Sequence, residues 1–150
     1  MILTNVILAG IYGGLATGIW VMMMKMIGFT SMDITTYAGC FITKKNSGFE
    51  TFIAGLLMHF TLSIIIAFVY FYMFHIIDKQ GLGIGLFVGL IHWAITGMML
   101  PATDAMNHCV KTGTIMPMKL YASGYGMNGI LTFFLGHMLY GAFVGLFLII

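Results

Sequence analysis

Charged residues leave four long stretches of this chain empty. No Asp, Glu, Lys or Arg occurs from Met1 to Met24, Thr51 to Ile77, Gln80 to Thr103 or Leu120 to Ile150. About 20 apolar residues at a helical rise of 1.5 Å cover a hydrocarbon core of roughly 30 Å, so each stretch is long enough to cross a bilayer. The apolar runs are unbroken and lack period-two alternation, which argues against a closed β-barrel. The pattern therefore predicts an all-α, polytopic integral membrane protein. It has a single domain over 1–150, with four transmembrane helices at about 3–25, 51–76, 82–100 and 128–149 packed as a bundle.

Two long connections separate these helices. The first carries Lys25, Asp33, Lys44, Lys45 and Glu50. The second is opened by Pro101 and carries Asp104, His108, Cys109, Lys111, Pro117 and Lys119. A short turn at Asp78–Lys79–Gln80–Gly81 joins the middle helices. With four spans, both long connections lie on one face, and both termini and the short turn on the other. Five of the six basic residues, all lysines, fall on the long-connection face and only Lys79 on the other. The positive-inside rule then predicts that the long connections are cytoplasmic. The N-terminus lacks a basic n-region and a small-residue cleavage site, and reads as a retained first helix.

Composition narrows the function. Hydrophobic residues make up 61% and charged residues 7%, so the surface is built for lipid. Arginine, the bidentate reader of phosphate, is absent, which argues against a nucleic-acid partner. No phosphate-binding glycine loop, nucleophile elbow or catalytic dyad is present, and no enzyme is expected. Cys40 and Cys109 form no disulfide framework or CxxC pair, although one bridge between them is open.

Many of the 20 glycines recur at packing intervals: Gly10, Gly14 and Gly18; Gly85, Gly89 and Gly97; Gly141 and Gly145. Small residues four apart let membrane helices approach closely. These stripes serve packing within the bundle, and their surplus raises the expectation of a homo-oligomer or a partner in a membrane complex.

Three histidines lie inside the spans. Counted from the long-connection face, His59, His92 and His137 all sit roughly 12–14 Å deep, near the midplane. Each shares a helical stripe with small residues: His59 with Gly55 and Ser63, His92 with Gly89 and Thr96, His137 with Gly141 and Gly145. All three are expected to point into the bundle, with Thr17 at the same depth. An intramembrane titratable group is a functional candidate by default. Three imidazoles in one layer suit a transition metal, copper or zinc, with water or the sulfur of Met99 as a further ligand. Two suit haem b held axially, and all three suit a proton relay. The alternative is that each bonds only to a neighbouring hydroxyl or carbonyl. Fifteen methionines, all but Met1 and Met73 in the half nearest the long connections, suit Cu(I), but the reading as flexible apolar filler is favoured. Asp33, Cys40, Asp104, His108 and Cys109 form a second candidate group by parity, without the spacing of a structural zinc site.

A resemblance runs along most of the chain. Ala9–Gly10, Ala16–Thr17, Met22–Met24 and Met32–Asp33 open it, and Met58–His59–Phe60, Ala67 and Tyr70 continue it. Gly85–Leu86–Phe87, Met98–Met99–Leu100–Pro101 and Gly136–His137–Met138–Leu139–Tyr140–Gly141 complete it. These runs resemble a group of small four-helix bacterial inner-membrane proteins and, more distantly, the YagU-type proteins. The resemblance implies a multi-pass protein of the bacterial inner membrane and supplies no activity. It also implies a less polar residue at the position of His92, which favours His59 and His137 as the pair. The leading expectation is a small inner-membrane protein that handles an ion, a transition metal or protons, through His59, His92 and His137. The runner-up is a haem-binding or assembly subunit without transport activity.

Overall fold

Four apolar helices dominate the computed structural model, which describes residues 2–148. They are α1 (Ile2–Met26), α3 (Phe49–Ile77), α4 (Leu82–Met106) and α6 (Gly126–Phe147). All four are long and apolar enough to span a membrane, and no strand occurs among the described residues. The chain is a multi-pass, all-helical membrane protein. Its outward faces carry Leu15, Ile19, Leu62, Ile65, Val69, Leu90 and Ile95, each at least two-fifths exposed in the isolated bundle. That surface suits lipid, where every backbone group must be satisfied inside the helix.

Glycines decide which helices touch. A Cβ on Gly10 would lie 2.8 Å from the Ile64 Cα, and one on Gly14 2.7 Å from the Ser63 hydroxyl, so α1 and α3 meet at backbone distance. On the other side, Gly85 faces Gly141 and Gly145, with a Cβ on Gly85 only 2.2 Å from the Gly141 carbonyl oxygen. Gly13 receives the ring of Tyr140 and Gly136 the methyl of Thr17, which joins α1 to α6. The order around the bundle is thus α3, α1, α6, α4. The helices linked by the short turn, α3 and α4, scarcely touch. Most of these glycines meet a neighbouring helix within the same chain.

The first long connection, for which the sequence pattern predicts no helix, folds in part. Residues Ile34–Thr43 form α2, capped by Asp33, whose carboxylate accepts the Thr36 amide at 2.9 Å. Asp and Asn are preferred there because they satisfy an amide that the helix cannot. α2 lies against α3 through two glycines: a Cβ on Gly39 would be 2.0 Å from the Thr51 carbonyl oxygen, and one on Gly55 2.0 Å from that of Thr35.

Helix α4 also differs from expectation, running through Pro101 to Met106 instead of ending at residue 100. Proline removes an amide and disfavours a continued helix. Tertiary bonds outweigh that loss. The buried Asp104 accepts the Met118 and Lys119 amides at 2.9 and 2.7 Å and the Tyr37 hydroxyl at 2.8 Å. Asn107 then donates to the Tyr37 carbonyl at 2.9 Å, and Cys109, on the short α5 (His108–Lys111), is disulfide-bonded to Cys40. Together these bonds fold both long connections into one cap. Helix α6 covers Gly126–Phe147 against the expected 128–149, whose last residue lies outside the described residues.

Two apolar clusters fill the bundle. One, near the termini, gathers Val6, Ala9, Ala67, Tyr70, Phe74, Val88, Tyr140 and Val144. The other, near the cap, gathers Val21, Met32, Tyr37, Met118 and Ala122. The histidine level lies between them.

Candidate functional site

His59, His92 and His137 line one cavity of about 260 Å³. Helical spacing turns each imidazole inward, and the absence of a glycine contact between α3 and α4 leaves the space open. Thr17 from α1, Ser63 from α3, Thr96 from α4 and Tyr140 from α6 share its wall, and Tyr37, Met32 and Met118 close its cap side.

The three rings are not equivalent. His92 and His137 meet edge to face with centroids 4.6 Å apart. His59 touches neither ring. Its Nε2 lies 2.9 Å from the Gly14 carbonyl oxygen on α1. A carbonyl only accepts, so Nε2 carries a proton and Nδ1 is the basic nitrogen of the neutral ring. The structure thus brings together His92 with His137, and not the pair His59 and His137 favoured by the resemblance.

Around His137 the proton count is informative. Its Nδ1 lies 2.8 Å from the Phe133 carbonyl oxygen and therefore donates. Its Nε2 lies 3.0 Å from the Thr96 hydroxyl, which also lies 2.7 Å from the His92 carbonyl oxygen. The hydroxyl has one proton and two places to put it. With neutral His137 it donates to Nε2. With protonated His137 it accepts from Nε2–H and turns its own proton to the His92 carbonyl. Both charge states are satisfied without moving a heavy atom. On the far side, the Tyr70 hydroxyl lies 3.3 Å from His92 Nδ1. Tyr140 packs on His92, with centroids 5.6 Å apart, and donates to the Ser63 carbonyl.

For a metal, both nitrogens of His137 are already engaged by protein atoms, and no cluster of three His, Cys, Asp or Glu side chains fit to hold an ion occurs among the described residues. For haem held between His59 and His137, the expected pair, His59 Nε2 is bonded to the Gly14 carbonyl and both His137 nitrogens to Thr96 and Phe133. The cavity holds no carboxylate or thiolate to offset a divalent charge in a medium where an uncompensated ion costs several kcal/mol. The donor set fits proton chemistry better than either group.

The secondary candidates lie elsewhere. Met99 faces outward at 56% exposed. Asp33 pairs with Lys25 on the cap side. Burial raises its carboxyl pKa, but hydrogen bonds from Lys25 and Thr36 more than reverse this and hold it below the usual range. Asp104 organises the cap, His108 is exposed and Cys109 is in the disulfide. They form no common site. Tyr70 and Tyr140 escaped the sequence reading as site residues, although a phenol inside a charge-free span needs a partner for its hydroxyl. Tyr140 stands one turn beyond His137, which was the available signal.

Comparison with known proteins finds no matching family model, no matching curated protein and no matching solved structure.

Proposed function

We propose that this protein passes protons through the membrane at its histidine level, with His137 and His92 as the relay and His59 as the group that feeds it. The observation that carries the reading is the Thr96 hydroxyl, placed between His137 Nε2 and the His92 carbonyl so that either protonation state is hydrogen-bonded. Imidazole is the side chain whose ordinary titration falls near neutrality, and a ring whose nitrogens stay hydrogen-bonded in both forms is spared the cost of an unsatisfied donor or acceptor, leaving only that of the single charge itself. Two positive rings so close would repel by about 4 kcal/mol, so the pair carries one proton at a time.

The membrane is the bacterial inner membrane, in keeping with the resemblance of the chain. Its orientation opposes the one drawn from the lysines. A persistent disulfide belongs to an oxidising compartment, and Cys40 and Cys109 bridge the two long connections. Five lysines are a small sample, and the bridge is the observation that supports the opposite orientation. We therefore propose that the cap faces outward and the termini inward.

The test is proton flux into liposomes holding the purified protein, driven by a potassium diffusion potential and read by an internal pH dye. Wild-type protein should exceed empty liposomes, and His137→Leu should lower the excess by about tenfold or more, the lower end of what a positioned acid–base group contributes. Equal flux from His137→Leu and wild type would overturn the reading.

A further inference from the structure

A second cavity of about 530 Å³ lies between α1, α2 and α3. Lys25, Asp33, Thr35 and Thr36 stand at its cap end, and Gly14, Gly18, His59 and Phe60 at its deep end. It shares four lining residues with the histidine cavity: Val21, Met32, Ile34 and His59. Only His59 among them can carry a proton. From these facts we propose that this cleft is a hydrated inlet from the cap face, that it ends on His59, and that His59 is the gate between the inlet and the relay. The inference rests on the proton reading for what moves, and on the geometry alone for where it enters.

Gly18 gives an independent sign of the same route. Gly10, Gly13 and Gly85 are pressed by backbone or ring atoms nearer than 3.0 Å to an added Cβ. Gly18 is not. The nearest atom to its Cβ would be His59 Nε2 at 3.5 Å, and nothing else but the same imidazole lies within 4 Å. The missing side chain of Gly18 therefore keeps space open beside His59 and brings no two helices together. The bare Nδ1 of the neutral His59 ring has no hydrogen-bond partner among the described residues, so it is available to take a proton. At the mouth, Asp33 remains ionised at neutral pH and, paired with Lys25, keeps the cap end polar. Thr35 and Thr36 add polar groups along the wall. The competing occupant is a lipid chain, because Leu15, Ile19 and Phe52 on the rim face outward.

Cysteine labelling of the full chain in membrane vesicles separates the two. Leu56 lines the cleft, while its neighbour Leu57 is 64% exposed on the outer face at the same depth. A cationic methanethiosulfonate needs a thiolate and therefore water, so Leu56→Cys should react about tenfold or more faster than Leu57→Cys. Gly18→Leu, which fills the space beside His59 below Leu56, should leave that labelling intact and cut proton flux about tenfold. Gly18→Ala should conduct like wild type, since its Cβ makes ordinary contact. Equal, slow reaction at both cysteines with the charged reagent, but reaction with a lipophilic maleimide, would mean a lipid-filled cleft and overturn the inlet. Undiminished flux in Gly18→Leu would overturn the gate. Fast labelling at Leu56→Cys with no flux in wild type would sink the proton reading and leave the hydrated cleft standing.

Discussion

His92 and His137, from helices joined by a long connection, meet with ring centroids 4.6 Å apart and planes inclined by 68°. The contact exists because Gly89 and Gly85 on α4, one and two turns away, let α6 approach within backbone distance. Glycine packing on one side of the bundle thus creates the imidazole pair, and its lack between α3 and α4 creates the cavity before it.

The Thr96 hydroxyl is the smallest change that separates a relay from a packed histidine. Thr96→Val keeps the shape and removes the group that serves both charge states of His137. Flux should fall about tenfold or more, and stability by about 1–3 kcal/mol for the nitrogen left unsatisfied. Thr96→Ser should restore both. A relay that does not use Thr96 would conduct normally in the valine variant.

Glycines of α4 provide a paired test of packing. A Cβ on Gly85 meets the Gly141 carbonyl oxygen at 2.2 Å, whereas one on Gly83 meets nothing within 4 Å. Gly85→Ala should therefore destabilise the bundle by at least about 1–3 kcal/mol. Gly83→Ala should be neutral or stabilising by up to about 1 kcal/mol from helix propensity. Thermal melts of both in one detergent check the order.

The bridge between Cys40 and Cys109 spans 69 residues of chain. A link across a loop of that length removes unfolded-state entropy worth roughly 4 kcal/mol in the chain-entropy account. Cys40→Ser should lower the melting temperature, and alkylation of unreduced native protein should find no free thiol. A fluorescent protein that matures only in the cytoplasm, fused after the last residue, should be bright. A dark fusion would put the cap inside the cell and make the bridge an adventitious product of purification.

Asp33 ties α2 to the end of α1. Its depressed carboxyl pKa contributes stability that is present above the unfolded value near 3.9 and is lost as pH falls through the lower folded value. Exchange of the α2 amides should therefore be insensitive to acid down to about pH 4, after intrinsic rates are divided out, and accelerate below it. In Asp33→Ala the cap is gone at every pH, at about 0.5–2 kcal/mol, and the acid step should vanish. An unchanged acid step in the variant would assign it to another carboxylate.

The number of spans, their rough limits, the shared face of the two long connections and the common depth of His59, His92 and His137 were all legible in the sequence. Each depends on local properties: charge-free length, helical rise and helical phase, which the chain carries whatever it packs against. Which histidines meet was not legible, because that depends on which glycine stripes engage. Gly10 and Gly14 could have met any partner; their contact with α3 turns His59 toward α1 and leaves His137 to His92. The helix α2 and the run of α4 through Pro101 escaped for a similar reason. Their local signals were a single capping aspartate and a helix breaker. What stabilises them is the buried Asp104, with partners 14, 15 and 67 residues away in sequence. Phase along a helix is written in the sequence, whereas the choice of neighbour is a competition among interfaces that only the assembled bundle resolves.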